Sequence, residues 1–271
     1  SPSRGLGDVY KRQAVALTGE AGSRVRALFN DLNEVVMKLV SFMMALAPYG
    51  VFFLMAKLFT TLDLKDLESL GWYFGTVLFV LCFHGFIVYG GFISIFGRLN
   101  PFMFFRKMKD AALFAFSMSS SNATIPVNME TTTKKLGVSN NIASFTIPLG
   151  ATINMDGTAI MQGVATVFIA QVFQIELTTM DYLMVILTAT LASIGTAGVP
   201  GVGLIMLAMV LQQVGLPVEG IALIIGVDRL LDMTRTAVNI TGDAMVSCLV
   251  AKSENQFDEA CFNNPDAGRN S

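Results

Sequence analysis

Residues 221–250, IALIIGVDRLLDMTRTAVNITGDAMVSCLV, form an apolar run of membrane-crossing length, yet it holds Asp228, Arg229, Asp232, Arg235, Asn239 and Asp243. A charge near the middle of a bilayer costs at least about 2.5–3.5 kcal/mol on insertion scales, so several together need partners or ligands. At about 100° per residue, Asp228, Asp232, Arg235, Thr236, Asn239 and Asp243 share roughly 100° of arc. A single polar stripe on one helix face is the pattern of a binding site, not of a solvated surface. Asp228 and Arg229 lie nearer one end of the run and read as structural.

Composition supports a membrane setting for that stripe. The chain is 53% hydrophobic and 14% charged, with a mean hydropathy of +0.60, whereas soluble domains carry about 25% charged residues. Apolar runs of span length place it among helical integral membrane proteins, with a lipid bilayer as its surroundings. A net charge of −2 leaves no electrostatic footprint for nucleic acid. Cys82, Cys248 and Cys261 have neither metal-ligand nor disulfide spacing. His84, the single histidine, sits in an apolar run and reads as a satisfied buried side chain. Residues 1–13, SPSRGLGDVYKRQ, read as a translated sequencing-adapter scar and are set apart from the fold.

Ordinary spans are expected over 32–61, 71–97, 141–173 and 221–250. Two further segments fail as spans: 101–138 is interrupted by SMSSSNATIP and 182–217 by IGTAGVPGVG. Their apolar halves, about 12 to 15 residues each, are too short to cross about 30 Å of hydrocarbon. Basic residues cluster at Arg24, Arg26, Arg98, Arg106, Lys107, Lys109, Lys134, Lys135 and Lys252, and are nearly absent from the other loops. The positive-inside rule puts that set in the cytoplasm. Both ends of 101–138 are then cytoplasmic and both ends of 182–217 external, so each is a re-entrant hairpin. Hairpin plus span, 101–173 and 182–250, occurs twice in opposite orientation, an inverted repeat of the transporter kind. The expected fold is an all-α integral membrane protein with an inverted-repeat transporter core. The polar tail 251–271 reads as a mobile cytoplasmic extension.

The span 141–173 has its own polar break, GATINMDGTA over 150–159. Gly150 and Gly157 let the backbone unwind and offer carbonyls. A hard monovalent cation wants oxygen ligands, which Asn154 and Asp156 supply here and Asn239 and Asp243 supply on the last span. The serine-rich tip, Ser119 to Asn122, presents hydroxyls and half-helix N–H groups, which suit a carboxylate. Arg235 has the planar fork that holds a carboxylate bidentately. Asp232, one turn earlier, either pairs with Arg235 or takes a ligand ammonium.

SSSNATIP, SFTIPLGATINMDGTA, LASIGTAGVPGVG and LLDMTRTAVNITGD occur in that order. Together they make the chain resemble the glutamate/aspartate transporter family, the dicarboxylate/amino acid:cation symporters, over about 30–256. The resemblance implies eight spans and two hairpins in the full protein, a homotrimer and elevator-type motion. It makes 14–62 a remnant of the scaffold domain, holding one span, and 68–250 the transport domain; the first four family spans are absent. Asp232 resembles the residue that binds the substrate amino group. Arg235, with Thr158 nearby and Thr236 beside it, resembles the one that holds the side-chain carboxylate. Asn239, Ser120, Ser121 and the backbone at Val199 resemble the α-carboxylate site. Asp243, Asn154 and Asn239 resemble one sodium site, Asp156 and Asn154 another, and the backbone around Thr196 a third. The tip 194–203, with Gly195, Gly198, Pro200 and Gly201, resembles the external gate. Where many family members carry a second arginine, this chain reads Ser117-Met118 and Met233-Thr234, which alters how Asp232 is balanced.

The expected function is sodium-coupled symport of glutamate or aspartate in a bacterial inner membrane, with no catalysis. A C4-dicarboxylate symporter of the same fold is the near rival, but its ligand has no ammonium for Asp232. An intramembrane protease using Asp156 and Asp243, or the serines, is a rival of another class; His84 has no serine elbow near it. A non-functional fragment is a third reading.

Overall fold

In the computed structural model, residues 64–194 and 196–268 are described continuously, together with isolated positions between 19 and 49. The span expected over 32–61 lies almost wholly outside the described residues, as does Gly195. The chain divides into two units, 1–56 and 57–271. Isolated helical positions such as Arg24 and Tyr49 are described in the first, and the second holds the continuously described chain.

The described residues of the second unit are helical, apart from turns and one isolated bridge. Helix α1, Leu64–Cys82, runs into a π-helical segment, Phe83–Val88, and then into α2, Tyr89–Ile95. Within it Glu68–Ile95 is long and apolar enough to cross a membrane. Its outward side carries Phe79, Phe86, Ile87, Ile95 and Phe96, all exposed. Exposed apolar side chains in such number mark a surface built for lipid or for other apolar chain.

Helix α3, Pro101–Met118, begins as the sequence dictates. Asn100 caps it by accepting from the Phe102 and Met103 amides, and Pro101 occupies the first turn, where its missing N–H costs nothing. It ends at Ser119 in the left-handed conformation, φ 49°. Ser120 then caps α4, Ser121–Glu130, by accepting from the Ala123 amide. A π-helical turn, Thr131–Lys135, follows.

Helix α5, Asn140–Ile153, stops at Asn154 and Met155, and α6, Asp156–Val172, starts directly after. This is the expected polar break. Helices α7, Thr179–Ile194, and α8, Val202–Gln213, flank the second tip, where Gly201 takes the left-handed φ of 79° that starts α8. Helix α9, Ile221–Ser253, packs against α1, α3, α4, α5 and α6 and is the axis of the unit. Its apolar contacts build a core from Tyr89, Phe104, Met108, Ile147, Ile240, Ala244 and Cys248. A short helix α10, Glu259–Asn263, is the last helix among the described residues.

The start of α7 carries a reciprocal cap. The Thr178 amide and hydroxyl donate to Asp181 Oδ2 at 2.8 and 2.7 Å, and the Asp181 amide donates back to the Thr178 hydroxyl at 3.3 Å. Those donated bonds hold the Asp181 carboxyl below its usual range. A depressed carboxylate contributes stability above its unfolded value and loses it as pH falls through the folded one. Protection of the Thr178 amide against hydrogen exchange is therefore expected to persist at pH 6 and to fade on acidification below the normal aspartate range. Equal protection at pH 6 and pH 2 contradicts this.

Candidate functional site

The polar stripe of α9 faces inward, and its partners come from four other elements. At one end stands Arg235, 1% exposed. Its Nη1 and Nη2 donate to Asp228 Oδ1 and Oδ2 at 2.9 and 3.3 Å, a bidentate grip two turns away on the same helix. Nη2 also donates to Asp232 Oδ1 at 2.8 Å, and Nε has no hydrogen-bond partner. One buried cation thus meets two acidic side chains. Tyr73 on α1 lies within electrostatic range of Asp228 and Arg235, and its buried hydroxyl also lacks a partner.

The second tip reaches this cluster through backbone. The Gly201 amide donates to Asp232 Oδ2 at 3.2 Å. A side chain at Gly203 would meet Thr158 at 3.3 Å, Met161 at 3.4 Å and Arg235 Nη2 at 3.6 Å. Thr158, the α8 start and the guanidinium therefore line one space. Gln162 of α6 secures the approach by donating to the Gly203 carbonyl at 3.3 Å.

The two tips meet each other. The Ser120 hydroxyl donates to the Gly198 carbonyl at 2.7 Å, and the Asn122 amide donates to the same oxygen at 3.2 Å. A Cβ on Gly198 would fall 2.9 Å from Asn122 Oδ1 and 3.1 Å from the Ala151 carbonyl. A side chain there would push Asn122 aside and press on the α5 backbone.

The other end of the stripe is an oxygen-rich pocket around the break in α5–α6. Asn154 Nδ2 donates to Asp243 Oδ1 at 2.9 Å and stands 3.5 Å from the Asn239 carbonyl. The Gly157 amide donates to Asn239 Oδ1 at 2.8 Å and to Asp156 Oδ1 at 3.0 Å. Asp243 is 2% exposed, and its Oδ2 has no hydrogen-bond partner. A buried carboxylate oxygen with nothing to accept from is costly unless a cation or proton serves it. Gly150 stands directly against this carboxylate, because a Cβ there would lie 2.4 Å from Oδ1.

Two residues outside the expected set complete Asp156. His84 Nε2 lies 2.8 Å from Asp156 Oδ2, and the Tyr89 hydroxyl donates to the same oxygen. The expectation for His84 as a satisfied side chain named no partner; the partner is a residue expected to bind cation. The signal is present in part, since both residues lie in the apolar span that packs on the break.

Among the expected residues, the structure brings Asp232, Arg235, Gly201 and Thr158 together, and separately Asn154, Asp156, Asn239 and Asp243. Ser120 and Gly198 join at the tips. Thr236 and Thr196 spend their hydroxyls on their own local backbone, donating to the Asp232 and Ala192 carbonyls at 2.8 Å each. Ser121 is buried, whereas Val199 is exposed and Pro200 half-buried. Asn239 Oδ1 faces Gly157 rather than the serine tip. Asp228, read from sequence as structural, is the bidentate partner of Arg235. The spacing of seven residues, two helical turns, puts it in register with Arg235, as the spacing of three does Asp232.

A membrane-length helix, two touching helix–tip–helix pairs and a buried arginine between two acids fit an integral membrane protein with a polar interior. The chain belongs to the sodium:dicarboxylate symporter family, whose sequence model matches residues 13–253. It is similar to excitatory amino acid transporter 3 of Mus musculus, 44% identical over 235 residues, which are 86% of this chain and 45% of the mouse protein. It is 38% identical to the proton/sodium-glutamate symport protein of Bacillus subtilis (strain 168) over 246 residues, 91% of this chain and 57% of that protein. Excitatory amino acid transporter 1 of Homo sapiens is 39% identical over 235 residues, 85% of this chain and 43% of that protein. The chain spans about half the length of the curated relatives it matches.

Proposed function

We propose that this chain carries the substrate and cation sites of a sodium-coupled symporter of acidic amino acids in a bacterial inner membrane. The observation that supports the reading best is the clasp of Arg235 by Asp228 and Asp232, with Asp232 tied to the second tip through Gly201. Arg235 takes the side-chain carboxylate of glutamate or aspartate by exchanging Asp228 for it. Asp232 takes the substrate ammonium, and the tip backbone and Ser120, Ser121 and Asn239 take the α-carboxylate. Sodium ions, the coupling ligands, are served by Asp243, Asn154, Asn239 and Asp156 with backbone carbonyls near Thr196. The physical cause of coupling is charge. An anionic substrate placed among Asp156, Asp228, Asp232 and Asp243 is tolerated only with cations beside it.

In this reading α3–α4 and α7–α8 are re-entrant hairpins related by an inverted repeat. The tip 194–203 is the external gate, and 68–250 is the moving part of an elevator within a homotrimer. Names of relatives support the substrate class: the Bacillus protein is a glutamate symporter by name. Asp232 favours an amino acid over a C4-dicarboxylate, because the latter offers no ammonium.

Binding of labelled aspartate to the protein in lipid nanodiscs, with sodium or choline as the cation, is the test. Saturable binding in sodium alone, displaced by glutamate and poorly by succinate, is expected. Succinate displacing as well as glutamate assigns the site to dicarboxylates instead, and no sodium-dependent binding overturns the proposal.

A further inference from the structure

The polar tail, expected from its sequence to be mobile, folds back on the first helix–tip–helix pair. The Asp258 amide donates to the Gly137 carbonyl at 2.7 Å, and the Ser139 amide donates to the Gln256 carbonyl at 3.1 Å. Val138 and Phe257 form an antiparallel bridge between them. The Ser139 hydroxyl adds a bond to Gln256 Oε1 at 2.7 Å. Gly137 has φ 81°, and a Cβ there would lie 2.4 Å from the Asp258 carbonyl, so a glycine is required for the strands to approach. Asp258 caps α10 by accepting from the Cys261 amide at 2.9 Å. Helix α10 then drives Phe262, fully buried, into the core beside Leu136 and Val138.

Lys107 is the key of this arrangement. It is 5% exposed on α3. Its ammonium donates to the Lys135 carbonyl at 2.6 Å and to the Cys261 carbonyl at 2.8 Å, and lies 5.6 Å from the centre of the Phe262 ring. A buried ammonium is costly unless its donors are taken. Here one acceptor comes from the turn after α4 and the other from the tail. Remove the tail and the cation loses half of its coordination; remove the cation and three segments lose their common point. Cys261 adds a weak thiol bond to the Lys134 carbonyl at 3.4 Å.

We infer that residues 254–268 are a strap, keyed by Lys107, that clamps the base of the α3–α4 pair to α9 and thereby positions the Ser119–Asn122 tip. The clamp stands on the contacts above; its bearing on transport rests on the symporter reading. Lys107 is a positioning residue, acting on the tip through α3, a rigid rod of about 18 Å from Lys107 to Ser119.

The test uses the full chain in lipid nanodiscs with Cys82 replaced by alanine. Cys261 is then the reactive thiol, Cys248 being fully buried. Lys107→Met is expected to raise the alkylation rate of Cys261 by a water-soluble maleimide about tenfold, through local opening of the strap. It is also expected to raise hydrogen exchange at amides 119–123 several-fold, with exchange in 221–235 unchanged. Lys107→Arg, which keeps a charged donor, is expected to restore part of both. Deletion of 254–271 is expected to reproduce the change at 119–123. Equal alkylation rates with and without Lys107→Met overturn the strap, and unmoved tip exchange in both variants overturns its positioning role. Glutamate with sodium failing to slow exchange at 119–123 in the unmodified chain tells against the symporter reading instead, and leaves the alkylation result standing.

Discussion

Arg235→Cys is expected to abolish saturable binding of glutamate and aspartate while leaving, or creating, binding of a small neutral amino acid. The guanidinium is the cation at that end of the α9 stripe, and among the described residues no other basic side chain takes part in the ion pairs around it. Losing a bidentate, charge-assisted grip on a carboxylate costs about 3–5 kcal/mol, or more than a hundredfold in affinity. The variant also strands Asp228 and Asp232 without their partner, and two carboxylates in a tight space threaten the fold itself. Arg235→Cys with Asp228→Asn removes one charge of each sign and keeps the shape of the Asp228 side chain. Calorimetry on this pair separates lost recognition from lost structure. Undiminished aspartate binding in the double variant sinks the role given to Arg235.

Gly150→Ala is expected to erase the stabilisation that sodium gives. The new methyl would sit 2.4 Å from Asp243 Oδ1 and 2.7 Å from its Cγ. Asp243 is a short side chain on a packed helix, and its Oδ1 is already fixed by Asn154. Either α5 withdraws from α9 or the carboxylate turns away, and both spread the oxygens that a cation needs in one place. Overpacking of this kind costs typically about 1–3 kcal/mol. A melting temperature that rises with sodium over choline in the unmodified protein should be lower in Gly150→Ala and insensitive to the swap. A sodium-dependent rise of the same size in the variant contradicts the assignment of Asp243.

The site is legible where chemistry conflicts with setting. Charges in an apolar run cannot be left unpaired, so the α9 stripe, the Asn154–Asp156 break and the glycine-rich tips stand out without any structure. Which groups pair is another matter. Asp232 and Asp228 are both in register with Arg235, and only packing selects the bidentate partner. His84 and Asp156 lie 72 residues apart, and no local pattern links them. The tail escapes a reading from sequence because its polar composition looks solvated. Its order comes from backbone bonds to Gly137 and Ser139 and from a lysine far back in the chain, none of which leaves a periodic trace. Gly195 in the second tip lies outside the described residues, and the span over 32–61 stays an expectation.

The wide turn at Phe83–Val88 has a further consequence. There the Tyr89 amide bonds to the His84 carbonyl, five residues back instead of four. Residues five apart, which a regular helix would send to different sides, are stacked here, and the His84 and Tyr89 rings pack edge to face at 4.8 Å. The bulge is a phase slip of one residue. It allows a helix otherwise committed to an apolar exterior to aim two polar rings at a single oxygen of Asp156. Deleting one residue inside it would restore ordinary winding and turn α1 by about 100° relative to α2, so that the histidine and the tyrosine could no longer serve the same carboxylate.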